Sequence, residues 1–350
     1  MANHSRGRIN GRQPTGEGLS RMKVTMRDVA THSGVSVATV SHVLNGTRAV
    51  SDAVRKKVED SIRELQYLPH QIGRSLKTGV RNLVGFVVPD IGNSVWSLII
   101  EEVESVLSEF GYKLIIISTK ETEEREIENL RILSSGIVDG IIIASTLESF
   151  SAISAVVPRS LPMVFIDRIV AGCPCDTISP NDFNAVYEGV ERFILAGHKR
   201  IGIITGLMRL STSQARLDAY RKAMTDYGLP IEEGFIQYGN SLAKSAVPRV
   251  QEILDLDCTA LVVSNNVMAS DVLHYIDMQK SSAAKEIAIL GQGVEGDLNY
   301  NLQRMDLIVQ PTTEMGRAAG RQIVSRIKNS DAPIRNVTLY TRLITRAAVT

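Results

Sequence analysis

The chain has 350 residues, of which 44% are hydrophobic and 22% charged, and its formal net charge is +1. That composition fits one large buried core or several small ones. No stretch approaches the roughly 20 apolar residues of a membrane span, and the N-terminus lacks the apolar core of a signal peptide, so a membrane or exported protein is not expected. The three cysteines are an odd number in a long chain, which favours a reducing cytoplasm.

The small net charge conceals a basic N-terminal part. Residues 1–80 contain 13 lysines and arginines against 6 aspartates and glutamates, a balance of +7, and residues 81–350 carry the compensating −6. A basic segment on a mildly acidic body is typical of a DNA-binding module attached to a larger domain. The opening residues 1–21 are rich in Gly, Arg and Asn without periodicity, so we expect a disordered leader.

Two short helices joined by a tight turn are predicted between residues 24 and 45. The first helix buries Val29 and Ala30, and the small Ala30 suits a close helix crossing. Gly34 provides the turn, where a positive φ costs least, and Ser36 caps the second helix. The pattern Ala-x3-Gly-Val-Ser-x3-Val-Ser is typical of a helix-turn-helix, whose second helix enters the DNA major groove. An ordinary helical hairpin in a core is the alternative.

A third helix is predicted over residues 52–65, capped by Ser51 and stopped near Pro69. From residue 82 onward, short β-branched runs alternate with helical stretches. The predicted strands are 83–88, 113–118, 140–144, 163–167, 200–205, 235–238, 259–264, 287–290 and 307–309. This alternation predicts doubly wound parallel sheets, and two such sets predict two α/β lobes with a ligand between them.

With these elements in place, the chain resembles the lactose-repressor/galactose-repressor (LacI/GalR) family of bacterial transcription regulators. The motifs that carry the resemblance are Asp28-Val29-Ala30, Gly34-Val35-Ser36, Thr39-Val40-Ser41, Leu44-Asn45-Gly46 and Leu65-Gln66-Tyr67-Leu68-Pro69. The likeness runs from about Met22 to Thr345, and Met22 lies where a member of the family would normally begin. The leader is therefore either an annotation artefact or a basic arm that adds nonspecific DNA affinity.

The resemblance implies an α/β fold class with a small all-α head. A helix-turn-helix domain (22–68) is joined by a hinge helix and linker (69–81) to a two-lobed, periplasmic-binding-protein-like core of doubly wound parallel sheets (82–350). We expect lobe 1 to cover about 82–179 and 310–330, and lobe 2 about 180–309 and 331–350. The chain would then cross between lobes near Ser179, Gln310 and Ser330.

The resemblance also assigns the DNA contacts. The residues expected to reach base edges are Val37, Ala38 and His42. The family most often has arginine at position 42, and histidine donates only singly, so the preferred half-site stays open. The residues expected on the DNA backbone are Thr25, Thr39, Ser41 and Asn45, some of which could instead be helix caps. The hinge residues Arg74, Leu76 and Lys77 are expected in the minor groove, with Leu76 wedged into a base step.

An effector site between the lobes is the third implication. The residues expected to line it are Asn93, Trp96, Asp167, Thr212, Arg216, Asn265, Gly293 and Gln310. Trp96 either stacks on a ligand ring or simply fills the lobe interface. The family's aromatic-Asp-Asp motif is here Gln292-Gly293-Val294, which removes a carboxylate that usually accepts sugar hydroxyls. An acidic or bulkier metabolite is therefore an alternative to a standard sugar.

The predicted function is that of a cytoplasmic bacterial transcription repressor controlled by a small metabolite, either a sugar or a sugar-derived acid. Its expected partners are a palindromic double-stranded DNA operator, the effector, and a second copy of the chain in a homodimer, with a tetramer left open. One helix-turn-helix per chain reads only a half-site, which is the reason to expect a dimer. No cofactor, metal or membrane is expected.

Sequence features also bear on two alternative functions. Residues 291–296 match G-x-G-x-x-G, which alone would predict an NAD-dependent oxidoreductase. The following predicted strand ends in Gln310-Pro311 rather than in Asp or Glu, which argues against that function. An exported solute-binding receptor would share the core but would need a signal peptide and no helix-turn-helix. The pair Cys173 and Cys175 has too few neighbouring ligands for zinc.

Overall fold

The computed structural model describes residues 24–67, 80–279, 287–294 and 304–345. Two compact units divide the chain between Gly79 and Val80, and we call them the head and the core. The predicted leader, the predicted hinge with Arg74, Leu76 and Lys77, and the last glycine of the G-x-G-x-x-G match lie outside the described residues. Within the described ranges, no helix combines the length and the hydropathy needed to cross a membrane.

The described head consists of three helices, α1 (Met26–Ser33), α2 (Val37–Asn45) and α3 (Asp52–Glu64). Between the first two, Gly34 has a left-handed φ of +67°, and the Ser36 hydroxyl accepts a hydrogen bond from the backbone N–H of Thr39 in the first turn of α2. The three helices enclose a small hydrophobic core of Val29, Ala30, Val40, Val58 and Tyr67. The predicted helix-turn-helix is confirmed, because the turn, the cap and the buried face all lie where the sequence pattern requires them.

The turn gives a first testable prediction. A Cβ on Gly34 would meet no atom within 4 Å, so replacing it costs only the left-handed backbone conformation. We expect Gly34→Ala to destabilise the head by about 1–2 kcal/mol, measured by hydrogen exchange of the α1 and α2 amides in the full-length protein. Gly34→Asn is the matched control and should lose less, because asparagine tolerates this conformation. Equal losses in the two variants would contradict a conformational origin.

The core is made of twelve strands and eight helices that the structure describes. The strands are β1 (Leu83–Val88), β2 (Lys113–Ser118), β3 (Gly140–Ile143), β4 (Met163–Ile166), β5 (Asp176–Asn181), β6 (Ile201–Thr205), β7 (Ile236–Tyr238), β8 (Ala260–Val263), β9 (Ala288–Gly293), β10 (Asp306–Val309), β11 (Asn336–Tyr340) and β12 (Arg342–Ile344). The helices are α4 (Ser94–Glu109), α5 (Glu123–Ser134), α6 (Phe150–Ser154), α7 (Phe183–Leu195), α8 (Ser211–Asp226), α9 (Val247–Leu254), α10 (Asn266–Met278) and α11 (Thr312–Lys328).

These strands form two six-stranded sheets, one in each lobe. The first has the order β11-β5-β4-β3-β1-β2 and the second β12-β10-β9-β8-β6-β7. The first sheet is parallel throughout. The second is parallel except for β12, which pairs antiparallel with β10 at its edge. The fold class predicted from strand–helix alternation, two doubly wound parallel lobes, is therefore confirmed.

Helices cover both faces of each sheet, which explains why the central strands are apolar without alternation. In β1, Val84 and Phe86 pack in one cluster with residues of α4 and α11, whereas Val87 packs in another with Leu130 of α5. The second sheet is likewise covered on both sides. Successive side chains of a strand face opposite sides, so each lobe has two hydrophobic layers.

The chain passes between the lobes three times in the described core. It leaves the first lobe between β5 and α7, returns between β10 and α11, and leaves again between β11 and β12, where Thr341 is the one intervening residue. The predicted third crossing near Ser330 is wrong, because β11 pairs in parallel with β5 and so keeps residues up to Tyr340 in the first lobe. This edge strand is short and mostly exposed, which leaves a weak hydrophobic signal in the sequence.

Candidate functional site

The exposed side of α2 is the first candidate site. Val37 is 42% exposed, Ala38 is also exposed, and His42 is partly buried. Val40 on the opposite side of the helix is fully buried in the core of the head. The Nδ1 atom of His42 lies 2.9 Å from the Thr47 hydroxyl, which leaves Nε2 as the ring nitrogen that can reach outward.

The residues predicted on the DNA backbone already have partners inside the head. The hydroxyl of Thr25 donates to Asp28 at 2.8 Å, and its backbone N–H donates to the same carboxylate at 2.7 Å. These two bonds hold the pKa of Asp28 below its usual value. The hydroxyls of Thr39 and Ser36 lie 2.9 Å apart. Their immediate roles are therefore helix capping.

The other pair on this helix is Ser41 and Asn45, one turn apart. The side-chain amide of Asn45 donates to the carbonyl of Ser41 at 2.8 Å and to its hydroxyl at 3.2 Å. Asn45 is the last residue of α2, so this contact braces the C-terminal turn. Both side chains are partly exposed, and a phosphate contact would have to share these existing bonds.

A cavity between the two lobes is the second candidate site, and it opens to solvent on one side. The predicted effector-binding residues that line it are Asn93, Trp96, Asp167, Thr212, Arg216, Asn265 and Gln310. The lining contains Gln292 where Gly293 was predicted. Both belong to β9, and successive strand residues face opposite sides, so only one of them can point into the cleft.

Two buried arginine–carboxylate pairs stand in the wall of the cavity. Arg168 donates to both oxygens of Glu121, at 2.9 and 2.6 Å. Arg216 donates through Nε to Asp182 at 2.6 Å, and through Nη1 to the carbonyl of Ser264 at 2.6 Å. All four charged side chains are at most 7% exposed. Each guanidinium is thus neutralised by a carboxylate of its own.

Asp167 is a third buried carboxylate in the lining. Its backbone has a left-handed φ of +70°, a conformation that costs energy in any residue with a Cβ and is often found at functional sites. Burial raises its pKa to about 6, against the lowering effect of Arg168 and Arg216. The closest cationic atom paired with it is Arg168 Nε, at 3.5 Å.

Several buried polar atoms around the cleft have no hydrogen-bond partner. They are Arg168 Nε, Asp182 Oδ1, Ser264 Oγ, Gln292 Oε1 and Gln310 Oε1. An unpaired buried polar group costs about 1–3 kcal/mol. Their concentration around one cavity indicates a place for a polar ligand.

The remaining predicted residues line the cavity and also stabilise the fold. The side-chain oxygens of Asn93 and Asn265 cap α4 and α10. Asn93 also accepts a bond of 2.9 Å from Asn266, which joins the two lobes. Trp96 packs edge-on against Phe86, with ring centroids 6.3 Å apart, and it also borders the cavity. Packing within the lobe is therefore observed for this tryptophan, whereas stacking on a ligand ring stays a prediction.

Sequence reasoning missed several residues of the cleft. Glu121 and Asp182 hold the two arginines, and Arg209 of the second lobe donates to the carbonyls of Glu121 at 2.7 Å and Thr146 at 3.0 Å in the first. The signal that would have found the carboxylates is position, since both follow the carboxyl end of a parallel strand, where ligands of such sheets bind. The hydrogen bonds of Arg209 go to backbone carbonyls, which leave no pattern in a sequence, and its Nε also lies 3.4 Å from the carboxylate of Glu123.

The G-x-G-x-x-G match has a packing explanation. Gly291 and Gly293 lie inside β9 rather than in a turn that opens a helix. A Cβ on Gly291 would lie 2.6 Å from the sulfur of Met305 and 3.0 Å from the Cβ of Ala269, so a larger residue would require these buried neighbours to shift. Within the described residues, no group of three or more His, Cys, Asp or Glu side chains could hold a metal ion.

A helix-turn-helix head and a two-lobed core with a polar interlobe cavity define a ligand-responsive DNA-binding regulator. Comparison with known proteins agrees: residues 25–70 match the bacterial regulatory proteins of the lacI family, and residues 81–347 match the periplasmic binding proteins and sugar binding domain of the LacI family. The chain belongs to the LacI family of transcriptional regulators. The family resemblance read from the sequence, and the prediction of a regulator rather than an oxidoreductase, are confirmed.

Individual relatives align over nearly the whole chain. The ribose operon repressor of Haemophilus influenzae is 30% identical over 327 residues, which are 93% of this chain and 98% of that protein. The transcriptional repressor PurR of Photobacterium profundum is 28% identical over 328 residues, with the same coverage. A lac repressor dimer bound to operator and the anti-inducer ONPF has a TM-score of 0.76 at 22% identity, covering 92% of this chain and 98% of that one, and supports the fold.

Proposed function

We propose that this regulator is a homodimeric repressor that binds an inverted-repeat operator in the bacterial cytoplasm and responds to a sugar-like effector in the interlobe cavity. The observation that carries the proposal is the cleft, where unpaired buried polar atoms lie around a cavity between the lobes. Support for the effector class comes from the ribose operon repressor, a relative at 30% identity.

The exposed face of α2 supports reading of the major groove. Val37 and Ala38 have no hydrogen-bonding groups, so their role would be contact with thymine methyl groups or with groove shape. His42 has one ring nitrogen occupied by Thr47. With the proton on Nε2, it can donate a single hydrogen bond to a purine acceptor, unlike the forked guanidinium of arginine.

The dimer follows from the geometry of recognition. One helix-turn-helix covers one half-site, and two-fold symmetric copies cover a palindrome. The lac repressor dimer bound to operator supports this arrangement by its fold. The hinge residues Arg74, Leu76 and Lys77 complete the proposal, with Leu76 wedged into a central minor-groove step that it would kink.

The operator proposal is tested by footprinting the full-length protein on DNA from its own genome neighbourhood. Protection of two symmetric half-sites, with a stoichiometry of two chains per site, is expected. A single asymmetric site protected by a monomer would rule out the dimeric reading mode. Addition of candidate sugars to the same complexes tests the effector, since reciprocal coupling requires DNA and effector to change each other's affinity by the same factor.

His42 should set the base preference of one position in each half-site. Replacing it with arginine should move the preference toward guanine by about 1–3 kcal/mol at that base pair, because the guanidinium fork bonds both guanine O6 and N7. The measurement is selection from a randomised operator library. His32→Arg is the matched control, since His32 lies on α1 and bonds Ser61 instead. An unchanged profile for His42→Arg would show that residue 42 does not contact bases.

A further inference from the structure

The charges around the interlobe cavity do not balance. Two guanidinium nitrogens of Arg168 bind Glu121, and two of Arg216 bind Asp182. The Asp90 carboxylate, also in the lining, pairs with Lys120. Within the described residues, the carboxylate of Asp167 is paired with Arg168 Nε, at 3.5 Å. Arg209, the third arginine of the cleft, lies 3.4 Å from the carboxylate of Glu123. Asp167 is therefore the carboxylate of the cavity lining without an arginine or lysine of its own.

Two unpaired acceptors of the lining call for a ligand that donates hydrogen bonds, whereas the unpaired donor, Arg168 Nε, already faces Asp167 at 3.5 Å. Gln292 and Gln310 are only 3% and 8% exposed, and the Oε1 atom of each has no partner. A carbonyl oxygen can only accept, so a ligand that satisfies these two atoms must offer O–H or N–H groups. A ligand rich in hydroxyls meets that requirement, whereas a carboxylate or phosphate adds further acceptors.

We propose that the effector is a polyhydroxylated amine of the amino-sugar class, whose ammonium group pairs with Asp167 and whose hydroxyls donate to Gln292 and Gln310. This rests on the proposed effector function of the cleft. An anionic ligand is disfavoured because both arginines are already neutralised, so a second negative charge would be buried beside Asp167 without a free cation. The acidic metabolite considered from the sequence is thereby replaced by a cationic one.

The ionisation of Asp167 gives the proposal a pH signature. Burial raises its pKa to about 6, Arg168 and Arg216 lower it, and Asp182 and Glu121 raise it. At pH 7.5 the carboxylate is charged and attracts an ammonium group. At pH 5 it is mostly protonated while the amine keeps its charge, so affinity for the amine should fall between these two values.

The experiment uses the full-length protein and nine probes. These are glucose, galactose and mannose, each as the neutral sugar, the 2-amino sugar and the 6-phosphate, tested by thermal shift and then by calorimetry. We expect at least one amino sugar to bind about tenfold more tightly than its neutral parent at pH 7.5. The phosphates should give no saturable shift, and the amino-sugar preference should vanish at pH 5.

Two variants separate a charge effect from a change of shape. Asp167→Asn should bring the dissociation constants of an amino sugar and its parent within about threefold of each other. Glu124→Gln, which removes an exposed carboxylate on α5 outside the lining, should keep the wild-type preference.

The outcomes divide clearly. The inference is overturned if no amino sugar binds, if a phosphate binds as tightly as the amine, or if Asp167→Asn keeps the preference. Binding of a neutral sugar alone, with specific operator binding intact, would remove the inference and leave the proposed function standing. Loss of specific operator binding in the wild-type protein would instead remove the proposed function.

Discussion

Replacing Arg216 with alanine should destabilise the core by about 3–5 kcal/mol and abolish the response to effector. The substitution leaves Asp182 as a buried carboxylate without its cation, and one of its oxygens is already unpaired. It also removes the donor to the Ser264 carbonyl at the end of β8. Asp182 lies between β5 and α7, where the chain first crosses between lobes. We therefore expect the loss of stability to extend to both lobes. Urea unfolding of the full-length protein measures it.

Two comparisons make this prediction specific. Arg249→Ala breaks an exposed i,i+3 pair with Glu252 and should cost no more than about 1 kcal/mol, as surface pairs do. The double variant Arg216→Ala with Asp182→Ala should be less destabilised than the sum of the single variants. Each single variant leaves one unpaired buried charge, whereas the double variant leaves none. Strict additivity would show that the pair does not act as a unit.

Replacing Asp167 with asparagine should stabilise the core, in the opposite direction to most substitutions of a buried residue. Folding raises the pKa of Asp167 from 3.8 to about 6. The folded state therefore binds its proton more strongly than the unfolded state, and stability is lost as pH rises through this range. Asparagine has no charge to bury, so Asp167→Asn should gain about 3 kcal/mol at pH 7.5.

The pH dependence of that gain is the decisive measurement. Below about pH 3 the carboxyl is mostly protonated in both states, so the wild-type protein and Asp167→Asn should differ little. The difference should grow between pH 4 and 6 and then level off. Asp218→Asn, an exposed position on α8, should follow the wild-type curve. A constant gain at all pH values would point to packing rather than to charge.

The stronger elements of the fold could be predicted because each carries a local signal. The helix-turn-helix is specified by Gly34, Ser36 and the apolar positions between them, and these requirements are met within 22 residues of sequence. The buried parallel strands stand out as β-branched runs. By contrast, β11 was missed because it is mostly exposed and its pairing depends on β5, which lies about 160 residues earlier in the chain.

The residues of the cleft also differ in whether a local signal in the sequence predicts them. Residues that follow a strand, such as Asp167, Asn265 and Gln310, could be placed from the strand pattern and the family resemblance. The pairing of Arg168 with Glu121 could not, because it joins side chains 47 residues apart. The side of β9 that faces the cavity was also predicted wrongly by one residue, since a one-residue error in a strand exchanges its two faces. Charge balance emerges only when these contacts are known.

The triple passage of the chain between lobes bears on how the protein is made. The first sheet is not complete until β11 is added and the second not until β12 is added, and these two strands follow all the others in the chain. A ribosome releases N-terminal segments first, so the head can fold while the core is still being synthesised. Neither sheet can be completed before these strands are synthesised, and both must close long loops, which slows their folding. A nascent core would thus expose the unpaired edges of β5 and β10. Such edges can bind chaperones or pair with the wrong strand.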